Sequence, residues 1–349
     1  MSNIIIKRVT LHDIEALQQI GRQTFAETFA PFNSAENMAT YLEEGFAYDK
    51  LAAELQKENS EFYFAMLDNA VIGYLKLNTG DTQTELKEQG ALEIERIYVQ
   101  QEFHGKRVGQ LLYDKAIAVA IEKQVQYVWL GVWEKNSRAI RFYQKNGFVA
   151  FDKHLFQLGN DVQTDFMMRK RLDGSLEIQP LLENENVILY PLRESDFDSL
   201  YAVASDPKVW EQHPNKNRWQ LEVFRTFFDG AIQSKGAFKI VDKTTGKAIG
   251  CTRFYDYNPQ EKSIFIGYTF YGTISWGKGI NQQVKALMLE YIFPFVNQVF
   301  LHVGAHNIRS QIAVGRTGAK KIGEQAVAYF GETSLLNFVY VIEKESWRM

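Results

Sequence analysis

Apolar and polar positions along this chain lay out one plan of elements and then lay it out again. The β-rich run Ile6-Lys7-Arg8-Val9 passes into Thr10-Leu11-His12-Asp13, where Asp13 stands at an expected helix cap. Leu189-Tyr190-Pro191-Leu192 passes into Arg193-Glu194-Ser195-Asp196 in the same manner. Val71-Ile72-Gly73-Tyr74 recurs as Ala248-Ile249-Gly250-Cys251. The run IERIYV leads to HGKRVG at His104, and FIGYTF leads to WGKGIN at Trp276. Asn136-Ser137-Arg138-Ala139 recurs as Asn307-Ile308-Arg309-Ser310. Four anchors in one order predict two copies of a single fold in tandem.

Each copy reads as a strand, helices, a strand pair, a strand ending in a glycine loop, a long helix, a strand, then a further helix and strand. Val108, Leu111, Leu112, Lys115, Ala116, Val119 and Ala120 share one stripe of the long helix. YVWLGV, from Tyr127, reads as a buried strand. The fold class is therefore α/β (α+β), helices around a mixed sheet, twice. FMMRKRL reads as the last strand of the first copy, and Asp173-Gly174-Ser175 as a turn. The expected domains are 1–172 and 183–349, with 173–182 as linker.

Bulk properties narrow the function classes. A chain of 349 residues with 46% hydrophobic and 23% charged residues has material for two cores. A net charge of −3 argues against nucleic acid as a partner. The single cysteine, Cys251, excludes an internal disulfide and a cysteine-built zinc site. The six histidines form no metal set: His302 and His306 lie on a strand and a following loop. No run of about 18 apolar residues predicts a membrane span, and MSNIIIKRVT has no signal-peptide pattern. A cytoplasmic protein without metal is expected.

A strand, glycine loop and helix aim backbone N–H groups at an anion. Neither HGKRVG nor WGKGIN spells the phosphate loop G-x-x-x-x-G-K-[ST], and the dinucleotide and kinase patterns are absent as well. The remaining combination is Asn136-x-x-Ala139-x-x-x-Tyr143-x-x-x-Gly147-Phe148 after the strand that follows the loop. With it, the chain resembles the GNAT N-acetyltransferase superfamily, whose acyl-CoA loop reads [RQ]-x-x-G-x-[GA]. His104 and Arg107 depart from that loop pattern. The first half resembles the PaiA-type polyamine acetyltransferases through AETFAPFNSAENM, SEFYFA, IGYLKLN, LEIERIYV, WLGVWEKN and FQLGNDVQTDFMM. The second half resembles the RimJ/RimL-like acetyltransferases through IGYTF, WGKGINQQVKALMLEYIF and N-x-R-S.

The resemblance implies two mixed, mostly antiparallel sheets, each splayed where acyl-CoA binds, and acetyl-CoA as donor. It places the first donor site at Ile97, Tyr98, Val99, His104, Gly105, Lys106, Arg107, Val108, Gly109, Asn136 and Lys145. The second falls at Trp276, Gly277, Lys278, Gly279, Ile280, Asn281, Asn307 and Ser310. It makes Tyr143 the acid that protonates the departing thiolate. Asn136 is read either as a pantetheine contact or as a helix cap. Amine acetylation also needs a base, because a free alkyl amine is protonated near neutral pH. Glu93 and Glu95 alternate on one strand and so face one side; Glu95, nearer the loop, is the expected base and Glu93 the second choice. From Asp13 to Glu61 there are ten acidic residues and three basic ones, a rim suited to cations. Glu27, Tyr41 and Glu43 are candidate acceptor contacts there.

In the second copy, Phe265 and Gly267 stand where Glu93 and Glu95 do, and Val314 stands where Tyr143 does. That copy is expected either to acetylate a different amine, such as a protein N-terminus, or to be a non-catalytic partner. The leading function is acetyl transfer to a small cationic amine, with polyamines favoured. The alternative class is an acyl-CoA-binding regulatory or scaffold protein. The expected assembly is a monomer with two dimer-like halves, or a homodimer.

Overall fold

The computed structural model describes residues 4–158, 161–328 and 333–347. The chain divides into two compact units, residues 1–177 and 178–349. In the first, β1 (Ile5–Arg8) is followed by three helices, α1 (Ile14–Phe29), α2 (Ala35–Gly45) and α3 (Tyr48–Leu55). Then come β2 (Ser60–Leu67), β3 (Ala70–Thr79) and β4 (Ala91–Val99). The helix α4 (Val108–Glu122) leads to β5 (Tyr127–Trp133), and α5 (Ser137–Lys145) to β6 (Val149–Leu158) and β7 (Asp161–Arg171). The sheet order is β1-β2-β3-β4-β5-β7-β6, antiparallel except where β4 meets β5.

The second unit runs β8 (Leu182–Glu183), β9 (Val187–Pro191), α6 (Phe197–Ala204), α7 (Pro207–Trp210) and α8 (Leu221–Gln233). It continues with β10 (Ala237–Asp242), β11 (Ala248–Asn258), β12 (Ser263–Tyr271) and α9 (Ile280–Ile292). It closes with β13 (Gln298–Gly304), α10 (Ile308–Gly315), β14 (Lys320–Val327) and β15 (Leu335–Glu343). Its order is β14-β15-β13-β12-β11-β10-β9-β8, and here β12 and β13 are the parallel pair. Each half thus ends in a strand pair whose last strand inserts beside the parallel pair, a crossover that the linear order does not reveal.

Alternation along the strands sorts the first core into two faces. Leu75, Leu77, Leu92, Ile94, Val128 and Leu130 meet Val108, Leu112, Ala116 and Val119 of α4 on one face. Phe62, Phe64 and Tyr74 meet Ile14, Leu17 and Ile20 of α1 and Leu51 of α3 on the other. Leu111, assigned above to the α4 stripe, is exposed, and Lys115 rests its ammonium over the Tyr63 ring at 4.7 Å.

Two sequence repeats gain physical reasons. Asp13 does not cap α1 with its side chain; it reaches back to accept from the Thr10 N–H at 3.0 Å, and Asp196 accepts from the Arg193 N–H at 3.0 Å. The repeated Gly73 and Gly250 sit where neighbouring strands approach closely. A Cβ on Gly73 would lie 2.7 Å from the Tyr98 carbonyl oxygen, and one on Gly250 2.2 Å from that of Phe270.

Candidate active site

Both helices that follow a glycine loop start uncapped. α4 begins after Arg107 and α9 after Gly279, both left-handed (φ 65° and 72°), and no side chain accepts from the first-turn N–H groups of either. The next helices are finished differently: Asn136 Oδ1 accepts from the Ala139 N–H and Asn307 Oδ1 from the Ser310 N–H, each at 3.1 Å. Asn136 thus caps α5 through its side-chain oxygen. The loop glycines Gly105 and Gly277 are also left-handed (φ 78° and 75°), and nothing lies within 4 Å of a Cβ at either. Glycine is needed there for backbone conformation, and the space in front is open. Open space at an uncapped helix start, with Lys106 and Arg107 or Lys278 on the loop, is a cradle for an anion.

His104 and its counterpart Trp276 do one job. The His104 Nδ1 sits 2.8 Å from Arg138 Nη1; a guanidinium only donates, so Nε2 carries the proton and donates to the Val99 carbonyl at 2.8 Å. Trp276 Nε1 donates to the Tyr271 carbonyl at 3.1 Å, and Arg309 stacks on its indole at 3.8 Å. Val99 and Tyr271 are the last residues of β4 and β12. In each unit, therefore, a ring N–H ties the loop to the strand end, and an arginine from the following helix holds the ring.

The parallel strands separate on the way to these cradles. β4 pairs with β5 only through Ala91–Glu93 opposite 127–129, and β12 with β13 only through 263–265 opposite 298–300. From Ile94 to Val99, including Ile97 and Tyr98, β4 has no partner on that side, which leaves a main-chain edge open inside the sheet. Tyr143 reaches this region from α5, packed on Phe142 and Phe148 with ring centres 5.4 and 5.6 Å away. Burial alone shifts its phenol, and raises its pKa, so the group stays protonated. Lys145 is exposed at the end of the same helix.

In the second unit the corresponding space is a cavity of about 760 Å³. Gly277, Lys285, His302, Arg309, Ser310 and Val314 are among the residues lining it. Lys285 is buried, with Nζ 2.9 Å from the Thr269 hydroxyl and 3.3 Å from that of Thr252, and burial pushes its pKa down to about 7. His302 has its Nδ1 3.2 Å from the Tyr255 hydroxyl, and Gln325 also interacts with its ring. Among the described residues no group of three His, Cys, Asp or Glu could hold a metal ion.

The profile of the Acetyltransferase (GNAT) family matches residues 23–148, and that of the Acetyltransferase (GNAT) domain matches residues 186–320. An uncharacterized N-acetyltransferase of Lactobacillus delbrueckii subsp. lactis is 41% identical over 172 residues, 49% of this chain and 99% of the relative. The chain belongs to the GNAT acetyltransferase family. The first half is also similar to the spermidine N(1)-acetyltransferase of Thermoplasma acidophilum, 26% identical over 176 residues, 49% of this chain and 99% of that one. A solved structure of the PaiA N-acetyltransferase from that organism, in complex with coenzyme A, covers 48% of this chain and 99% of its own, with 26% identity and a TM-score of 0.42. This GNAT protein is an N-acetyltransferase with acetyl-CoA as donor substrate, and its open cradles fit a pyrophosphate-bearing donor.

On the acceptor side of the GNAT fold the sequence reading needs revision. Glu93 and Glu95 do face one side, since Asn78 Nδ2 donates to both, at 3.0 and 2.6 Å. Yet Glu95 is the extra residue of a bulge, because Leu77 pairs with Ile94 and Lys76 with Arg96. The bulge turns its carboxylate onto Lys76 at 2.6 Å and Arg96 at 3.3 Å, while Lys76 also holds Glu54 at 2.8 Å. Burial pushes Glu95 upward, but the two cations outweigh it and hold its pKa below the ordinary value. Glu93 is pushed upward by burial, against hydrogen bonds from Thr84 and Asn78 that occupy both its oxygens. Both carboxylates are committed to protein partners.

Of the three acceptor candidates, only Tyr41 joins the site, stacked on Phe25 at 4.3 Å. Glu27 accepts from the Gln101 N–H at 2.8 Å and so braces the turn before the loop, and Glu43 is exposed. The sequence reading missed Trp133 and Asp165, and gave Tyr98 a place on the donor side only. Trp133 packs against Phe29 and Phe32, at 6.1 and 5.1 Å. Tyr98 meets Phe25, Phe29 and Tyr74 within 6.5 Å. Asp165, opposite Trp133 on β7, was hidden in VQTDFMM.

Proposed function

We propose that the first unit, with its catalytic fold in residues 1–172, transfers acetyl to a primary amine of a small cation, and that polyamines of the spermidine class are its acceptors. The observation that carries this reading is the ring-lined face formed by Phe25, Phe29, Tyr41, Tyr98 and Trp133, with Glu134 and Asp165 at its side. Aromatic faces and carboxylates together attract an alkylammonium chain. The Thermoplasma relative, named a spermidine N(1)-acetyltransferase, points the same way. Acetyl-CoA supplies the activated acetyl thioester; the chain's residues bind, orient and manage protons. The cradle from His104 to Gly109 holds the donor's phosphates, the open edge of β4 aligns its arm, and Tyr143 returns a proton to sulfur. Thiol release from acetyl-CoA, measured with spermidine, spermine, simple diamines, an aminoglycoside and an N-terminal peptide, tests it. Polyamines are expected to give the largest kcat/KM; a preference for the peptide or aminoglycoside defeats the acceptor assignment.

A second reading is favoured by the cavity of about 760 Å³ in the other unit: residues 183–349, with RimJ/RimL-like character, acetylate a different amine, such as a protein N-terminus. Turnover of an N-terminal peptide that survives Tyr143→Phe supports it. Donor binding by both units without amine-dependent thiol release would instead mark an acyl-CoA-binding regulatory or scaffold protein.

A further inference from the structure

Asp165 is a half-buried carboxylate of the first acceptor face that the fold leaves uncommitted, whereas Glu134 beside it is exposed. It sits on β7 opposite Trp133 of β5 and His154 of β6, and its Oδ2 lies 3.7 Å from where a Cβ on Gly131 would stand. Gly131 is the exposed residue in an otherwise buried β5, so the missing side chain opens the strand surface beside Asp165. No described residue hydrogen-bonds to the Asp165 carboxylate: only burial and the charges of His154 and Glu134 act on it. From β6 comes His154, which lies 3.3 Å from Glu85; from the end of β5, Glu134; from α2, Tyr41, whose phenol feels Asp165, Glu95, Glu54 and Arg96. Tyr98 lies between this group and the donor side, since its phenol feels both Tyr41 and Tyr143.

An unpaired carboxylate in a half-buried, ring-lined place has an unmet need for a cation. We propose that Asp165 receives the acceptor's amine and takes its proton during acetyl transfer. The role goes to Asp165 because Glu93 and Glu95 are already bonded within the protein. Burial pushes its pKa up to about 6, close to the operating range of a general base. The proposal rests on the amine-acceptor reading above.

The bound ammonium first releases one proton to water, and the nitrogen lone pair then forms the new C–N bond at the thioester carbonyl. The nitrogen, now cationic and far more acidic than a free ammonium, gives one proton to Asp165. The C–S bond breaks, and the sulfur takes the Tyr143 proton. The proton held by Asp165 returns to the Tyr143 phenolate through water, so amine and acetyl-CoA become amide and free thiol.

The test is steady-state kinetics of the full chain, with whichever amine gives the fastest thiol release. Asp165→Asn is expected to lower kcat/KM for the amine about 100-fold or more while acetyl-CoA KM stays within about twofold. The acid limb of the wild-type pH profile, near 6, should vanish in this variant and return in part with Asp165→Glu. Gly131→Ala places one methyl in ordinary contact with Asp165 and is expected to raise the amine KM several-fold. Asp165→Asn that keeps the wild-type rate and acid limb overturns the role. So does a variant that loses donor and acceptor affinity together, which marks a structural part. Wild type silent with every amine overturns the amine-acceptor reading itself, an outcome separate from either of these.

Discussion

His104 Nε2 and the Val99 carbonyl oxygen lie 2.8 Å apart, and this contact fixes the angle at which β4 hands the chain to its loop. In the second unit an indole makes the equivalent bond. The function of the position is thus a side-chain N–H, not an imidazole. His104→Gln, which retains an N–H donor, is expected to hold acetyl-CoA KM within about twofold, whereas His104→Ala should raise it about fivefold by releasing one hydrogen bond worth roughly 1 kcal/mol. Equal effects of the two substitutions, in thiol-release kinetics, would count against the tie.

Tyr143 offers a separation of chemistry from stability. Its hydroxyl is buried and its pKa is shifted by burial alone. Tyr143→Phe therefore removes no protein hydrogen bond and should change stability by less than about 0.5 kcal/mol. The expected loss is in kcat, about 100-fold or more. Calorimetry and single-turnover thiol release on the same preparation check both parts.

Glu95 should show the opposite split. It is ion-paired with Lys76 and Arg96. Glu95→Gln leaves Lys76 with Glu54 alone and Arg96 with less, and should cost about 2–4 kcal/mol of stability. Below the melting range its pH profile should keep the acid limb, as the proposal that Asp165 takes the amine proton requires. Loss of that limb in Glu95→Gln would return the base role to Glu95.

Lys285 makes a pH-dependent prediction for the second unit. In the unfolded chain its amine titrates near 10.5; in the folded unit burial brings it down to about 7. Between those values the unfolded state holds the extra proton, so stability rises with pH through that window, and the full penalty stands below it. Lys285→Met, similar in volume, should stabilise the second unit by a few kcal/mol at about pH 6, with the gain shrinking toward about pH 10. Melting curves across that range decide it; a gain independent of pH would mean that the amine carries no such shift.

The parts of this molecule legible in sequence are those written within one element. The loop and the Asn136–Tyr143 helix have fixed spacing along a single turn-and-helix unit, so the chain spells them directly. Glu93 and Glu95 were rightly placed on one side, since strand alternation dictates it. Their partners were not legible. Lys76 sits on β3 and Glu54 on α3, and a bulge decides where Glu95 points. Asp165 was invisible for a related reason: it reaches the site because β7, not β6, lies beside β5. Lys285 carries no signal of its own in the helix pattern; its burial without a carboxylate partner among the described residues is what makes it unusual.

The open starts of α4 and α9 make this protein's toughness partly a property of its surroundings. A helix finished by its own asparagine, like α5, is as stable alone as it will ever be. One that waits for an external anion gains only when the anion is present, by an amount set by concentration over affinity. The melting temperature is then a gauge of donor supply. Selecting variants for heat resistance without donor would favour changes that seal those helix starts, and would drift toward a hardier protein that no longer binds what it uses.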